Sequence, residues 1–96
     1  MTQFLLEVFA PRSRAGDFPA KEKRARAAAK RVSGSEAGVR YLRAIYVPED
    51  ETCFYVFEAP SAQLVAQAGA VAGLGDGRIV EAFERSASRL RAGGGA

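Results

Sequence analysis

Three observations in the sequence predict a two-layer α+β fold with four strands and two helices. Two runs rich in β-branched and aromatic residues, 41–47 and 52–60, flank a turn-forming segment at 48–51, which predicts a central β-hairpin. One helical segment and one further strand pattern lie on each side of this hairpin. The length of 96 residues, with 48% hydrophobic and 26% charged, is typical of one globular domain with a single core.

The first strand is predicted by the alternating pattern of residues 3–9, QFLLEVF. One face would carry Phe4, Leu6 and Val8, and the other Leu5, Glu7 and Phe9. The polar segment 11–16 that follows predicts a loop, because it contains a proline and a glycine.

Asp17 is predicted to cap the first helix, with Pro19 in the first turn, where no N–H is needed. The helix runs to about Val32 and ends in segment 33–35. Its narrow apolar stripe consists of Phe18, Ala25, Ala28, Ala29 and Val32. Its cations predict a solvated face: Lys21, Lys23, Arg24, Arg26, Lys30 and Arg31.

The turn of the hairpin predicts its register. If residues 48–51 form a four-residue loop, Val47 pairs with Thr52 and Tyr41 lies opposite Glu58. The uncharged face, which we assign to the core, carries Leu42, Ala44, Tyr46, Cys53, Tyr55 and Phe57. The other face would carry Tyr41, Arg43, Ile45, Phe54, Val56 and Glu58.

A second helix is predicted to begin after the cap Ser61 and to stop at Gly73. Its inward residues would be Leu64, Val65, Ala68, Val71 and Ala72. A turn at 75–77 leads into a last strand at 78–84. We therefore expect one domain over residues 1–84 and a mobile tail over 85–96, in which Leu90 can anchor a short helical turn.

The order strand–helix–strand–strand–helix–strand is that of the ferredoxin-like βαββαβ sandwich, with a four-stranded antiparallel sheet. Right-handed crossovers place both helices on one face of this sheet. The other face, which we call the open face, is too apolar to meet water alone. We therefore expect a homodimer in which two open faces pack together.

Four residues of the open face are our candidate ligand-binding residues: Glu7, Tyr41, Arg43 and Glu58. Glu7, Arg43 and Glu58 either form an ion-pair network among themselves or converge on an apolar site for a small anionic or aromatic ligand. The first function that fits is a binding or sensory module. The alternative is a small cofactor-free enzyme, with Glu7 or Glu58 as the base and Arg43 or Tyr41 steering an oxyanion.

Several function classes are excluded or disfavoured by composition. The chain has no histidine, so it has no Ser-His-Asp or Cys-His pair. The hairpin lacks the basic-glycine start of RNA-binding strands, and Glu7 and Glu58 would repel phosphates. The single cysteine, Cys53, excludes an internal disulfide and fits a reducing cytoplasm. We recognise no signal peptide and no apolar span, so we expect no membrane partner. We also expect no nucleic-acid partner and no cofactor.

Three segments, FLLEVFAP, YLRAIYVPEDETCFYVFEAPS and AGLGDGRIVEAFE, resemble a family of small ferredoxin-like proteins named after a nickel-binding member. The resemblance covers roughly residues 3–84 and implies a dimeric ferredoxin-like fold, with metal binding in some members. Nickel favours imidazole ligands, and Arg43 stands where we expect a histidine in a metal-binding relative. A guanidinium favours a carboxylate or phosphate, so we expect no metal site.

Overall fold

The computed structural model of the protein describes residues 1–33 and 38–85. Its elements, in chain order, are β1 (Thr2–Phe9), α1 (Phe18–Ser33), β2 (Arg40–Val47), β3 (Thr52–Ala59), α2 (Ala62–Ala72) and β4 (Gly77–Ala82). Short 3-10 turns, Arg12–Asp17 and Pro48–Asp50, precede α1 and join β2 to β3. The predicted helix stop at Gly34 and Ser35 and the predicted behaviour of residues 86–96, including Leu90, lie outside the described residues.

The four strands form one antiparallel sheet in the order β2-β3-β1-β4. The two helices pack against each other and against one face of this sheet. This arrangement confirms the α+β class and the βαββαβ order predicted from the sequence. Neither α1 nor α2 covers the opposite face of the sheet.

The core between sheet and helices is built from large residues on the strands and small residues on the helices. The strands contribute Phe4, Leu6, Val8, Cys53, Tyr55 and Phe57, and the helices contribute Ala25, Ala28, Ala29, Val65, Ala68 and Ala72. The alanine stripe of α1 therefore faces the core as predicted. Small side chains let the helices approach the sheet closely, and a Cβ added at Gly69 would lie 2.8 Å from Cδ2 of Leu6.

Both predicted ends of α2 are confirmed. The Ser61 hydroxyl accepts a hydrogen bond from the backbone N–H of Leu64 at 3.4 Å, and Gly73 adopts a left-handed conformation with φ 67°. The inward placement of Val71 was wrong, since Val71 is 48% exposed. Its neighbour Ala72 is buried, and successive residues of a helix point about 100° apart.

The residue predicted to cap α1, Asp17, lies directly before that helix, which begins at Phe18 and has Pro19 in its first turn, as expected. Asp17 is also the last residue of the preceding 3-10 turn, and its carboxylate pairs with the Arg14 guanidinium at 2.6 Å. The exposed cations of α1 confirm its solvated face, with Lys21 only partly exposed.

The hairpin register is confirmed near its turn and wrong at its far end. Val47 pairs with Thr52 and Arg43 with Val56, as expected. A β-bulge between Tyr41 and Arg43 then shifts the pairing, so that Tyr41 lies opposite Phe57 instead of Glu58. The extra residue of a bulge re-aims the side chains beyond it.

The last strand also differs from its prediction. It spans Gly77–Ala82, so Phe83 and Glu84 leave the sheet instead of continuing it. Among the residues described, neither helix has the length and apolar character required to cross a membrane.

Candidate functional site

Three rows of paired residues cross the open face from β2 to β4. The central row is mostly apolar and consists of Arg43, Val56, Leu5 and Val80. The row on one side consists of Ile45, Phe54, Glu7 and Arg78, and the row on the other of Arg40, Glu58, Gln3 and Ala82. The open face is therefore an apolar band with charged groups along both sides.

Each charged candidate on this face has an ion-pair partner that the sequence analysis did not name. Glu7 accepts hydrogen bonds from both Nε and a terminal nitrogen of Arg78, at 3.3 and 3.2 Å. Glu58 pairs with Arg40 at 3.0 Å.

Arg43 pairs with neither of those glutamates. A terminal nitrogen of its guanidinium lies 3.4 Å from each carboxylate oxygen of Glu84. The expected network among Glu7, Arg43 and Glu58 is therefore wrong, because the three residues occupy different rows and each meets a nearer partner.

Tyr41 does not lie with the other candidates. The bulge directs its ring to the helix side, where it packs against Phe57 with ring centroids 5.5 Å apart. Its hydroxyl donates a hydrogen bond to Glu22 of α1 at 2.6 Å, and the Arg26 guanidinium lies 5.5 Å from the ring centroid. Burial, together with the hydrogen bond to Glu22, raises the pKa of Tyr41 above its ordinary value.

A groove of about 440 Å³ runs along the apolar band. We call it the open-face groove; its residues are Gln3, Leu5, Arg43, Ile45, Val56, Ala82, Phe83, Glu84 and Arg85. Leu5, Ile45 and Val56 form its floor, and Arg43 stands at the β2 end of the central row. Apolar lining with few polar groups is the usual character of a small-molecule site.

One wall of the groove is formed by residues 83–85, which we call the strap. The strap follows β4 at one edge of the sheet, yet the Glu84 carboxylate reaches Arg43 on β2, the opposite edge strand. Glu84 also accepts a hydrogen bond from the side-chain amide of Gln3 at 3.2 Å. These two contacts hold the strap across the face.

Large apolar side chains remain exposed around the groove. Phe83 is 86% exposed, Phe9 69% and Ile45 49%. All three border or belong to the open face, whereas Val56 on the central strand β3 is buried by its neighbours. The apolar character predicted for this face is thus present.

Titratable groups on the helix side form a separate cluster. Cys53 and Tyr55 are each 1% exposed, as predicted for a cysteine that packs like a small apolar residue. Burial raises the pKa of the Cys53 thiol and that of Tyr55. Within residues 1–33 and 38–85, no three His, Cys, Asp or Glu side chains lie together so as to hold a metal ion.

The sequence analysis missed four residues of this face: Arg40, Arg78, Phe83 and Glu84. The two arginines could have been predicted from the sequence, since each lies at a strand end where an acidic residue of a neighbouring strand needs a partner. Glu84 could not, because a contact between opposite edges of the sheet depends on where the strap turns.

In comparisons with known proteins, no family model, no curated protein and no solved structure matches this chain.

Proposed function

We propose that the protein is a homodimeric binding or sensory module that holds a small ligand between its open face and its partner. The observation that carries this proposal is the open-face groove of about 440 Å³, with its apolar floor and with Arg43 at its β2 end. Ligand sites commonly combine such a lining with one or two groups that fix orientation.

The dimer part of the proposal is supported by the size and exposure of the face. Four strands of up to eight residues make a sheet of roughly 19 by 26 Å, about 500 Å² in projection. Because side chains protrude from the sheet, their accessible surface is larger than this projection. That larger surface approaches the roughly 800 Å² per partner of a standard interface. The exposed Phe9, Ile45 and Phe83 would be covered by such contact.

The alternative of a cofactor-free enzyme has less support from this geometry. Glu7 and Glu58, its two candidate bases, each already accept from an arginine, and neither lines the open-face groove. Glu58 lies opposite Gln3, four residues from Glu7 along β1, so the two positions are roughly 13 Å apart along the strand direction. Only one of the two could therefore act on a given small substrate.

We also place the module in the cytoplasm. An unpaired cysteine is typical of a reducing compartment, and Cys53 lies buried as a free thiol.

The oligomeric state tests the proposal with two matched variants. Ile45 on the open face is 49% exposed and Val71 on α2 is 48% exposed, so an aspartate at either position disturbs the monomer to a similar degree. Light scattering of the wild type should give about twice the chain mass of 10.2 kDa. Ile45→Asp should give a monomer and Val71→Asp should stay dimeric. A monomeric wild type, or equal effects of both variants, would contradict the proposal.

A further inference from the structure

We infer that the open-face groove takes an apolar carboxylic acid, and that Glu84 of the strap occupies the place of the ligand's carboxylate in the unliganded protein. This inference rests on the proposed function and names the ligand class of the same site. Its first support is that the partner of Arg43 is a carboxylate that arrives from the opposite edge of the sheet.

The Arg43–Glu84 contact is open to exchange. Its shortest distance is 3.4 Å, and the two side chains are 47% and 51% exposed. Exposed ion pairs of this kind contribute little, so a second carboxylate at the same guanidinium replaces the first with little loss. The contact uses one terminal nitrogen, whereas a free carboxylate can bind a guanidinium in a bidentate manner.

The remaining lining defines the rest of the ligand. Leu5, Ile45 and Val56 give a floor of branched aliphatic side chains, and Phe83 supplies an aromatic wall that is 86% exposed. A planar or aliphatic body placed there would cover the Phe83 ring and remove it from water. Charge at the Arg43 end and apolar surface along the floor together fit a molecule with one acidic end.

The other arginines of the face do not offer the same place. Arg78 is held by Glu7 through two nitrogens, and Arg40 pairs with Glu58, whose side chain is only 23% exposed. Neither arginine lines the open-face groove. Arg85 does line the groove, but it belongs to the strap, whereas Arg43 is held on β2, so we assign recognition of the acid to Arg43.

Binding would also release part of the strap. When a ligand carboxylate binds Arg43, the Glu84 carboxylate keeps its hydrogen bond from the side-chain amide of Gln3 at 3.2 Å and loses its ion pair. Glu84 and Arg85 of the strap are thus expected to change position on binding, while Phe83 stays against the ligand, which gives a binding module a means of signalling occupancy.

The test uses 2-naphthoate and the matched neutral probe 2-naphthamide, titrated into the full chain and followed by isothermal titration and by amide chemical shifts. Naphthoate should bind at least about tenfold more tightly than naphthamide. Arg43→Gln should remove this preference. Arg78→Gln, which deletes an arginine of the same face outside the groove, should leave it unchanged.

Glu84→Gln separates the internal carboxylate from a merely structural residue. Removing the competing charge should tighten naphthoate by about threefold to tenfold and leave naphthamide unchanged. Equal binding of both probes, no naphthoate binding up to about 1 mM, or tighter naphthamide in Glu84→Gln would each overturn the inference. Light scattering of the same samples distinguishes the two proposals. A dimer that does not prefer naphthoate would contradict only the inferred ligand class. A monomer that does prefer naphthoate would contradict only the proposed dimer.

Discussion

At the scale of single residues, the exposure of Arg43 decides how much its loss destabilises the fold. A buried pair would cost about 3 kcal/mol when one partner is removed. Within one subunit Arg43 and Glu84 are 47% and 51% exposed, so in the monomeric Ile45→Asp background we expect Arg43→Ala to lower the free energy of unfolding by less than about 1 kcal/mol. The midpoint and slope of urea unfolding measure this.

Arg40 provides the comparison for that experiment. Its partner Glu58 is 23% exposed, so the carboxylate left behind by Arg40→Ala is more shielded than Glu84. We expect Arg40→Ala to cost more than Arg43→Ala. The reverse order would mean that the strap contributes more to stability than its exposure indicates.

Tyr41 makes stability depend on pH in the alkaline range. Its pKa is raised above the ordinary 10.0 by burial and by the hydrogen bond to Glu22, so the unfolded chain loses this proton first. The folded state then binds more protons than the unfolded state, and the free energy of unfolding falls as pH rises above about 10. The stabilisation is fully present below that pH.

Urea unfolding at pH 8, 10 and 11 checks this dependence. Each such group contributes a slope of up to about 1.4 kcal/mol per pH unit. Tyr55 and Cys53, whose pKa values are raised by burial, act in the same direction. Tyr41→Phe should therefore reduce the slope of unfolding free energy against pH without abolishing it. An unchanged slope would show that Tyr41 does not contribute to this pH dependence.

At the scale of elements, Gly77 shows why β4 tolerates no side chain at its first residue. A Cβ there would meet the backbone oxygen of Glu7 and lie 2.6 Å from Cγ1 of Val8. We expect Gly77→Ala to destabilise the protein by about 1–3 kcal/mol, because the backbone of β1 cannot move aside without loss of pairing. Thermal or urea unfolding measures this cost.

Gly16 is the matched control. A Cβ at Gly16 meets nothing within 4 Å, so Gly16→Ala should be neutral or stabilising by up to about 1 kcal/mol. If the two alanine variants were equally stable, β4 would not be packed against β1 at this position.

The elements also show what the sequence could predict. Alternation in residues 3–9, the Ser61 cap and the Gly73 stop are local signals, and each was confirmed. The bulge between Tyr41 and Arg43 has no local signal, because any of three neighbouring residues could have been left unpaired. That one residue moved Tyr41 from the open face to the helix side.

For the candidate site, too, only the features set by local sequence were predictable. The face that carries Glu7, Arg43 and Glu58 follows from strand alternation, which is local. Their partners Arg78, Glu84 and Arg40 follow from contacts between strands, which sequence order does not determine. Side-chain faces were thus predictable, and pairings were not.

At the scale of the whole molecule, we expect no tight nickel binding. The chain has no histidine and one cysteine, and a borderline metal ion needs several nitrogen or sulfur donors. A dimer would bring only two thiols, and each Cys53 is buried on the helix side, away from the open face. Titration calorimetry at pH 7 should show no binding tighter than roughly 10 µM.

Carboxylate oxygens are the ligands that could still bind nickel tightly and so contradict this prediction. Stoichiometric nickel binding below that threshold, lost in Glu7→Gln or Glu58→Gln, would show that oxygen ligands suffice here. Calcium and magnesium, which prefer oxygen, provide the comparison titrations.

The burial of Cys53 allows the rate of local opening of the protein to be measured by thiol labelling. The thiol is 1% exposed beneath the helix layer, and it is the one cysteine of the chain. An alkylating reagent in excess therefore reaches it only when that layer lifts from the sheet, so the labelling rate counts opening events. Because the open face lies on the other side of the sheet, a ligand there that slows the labelling would do so by stabilising the whole domain, without shielding the thiol itself.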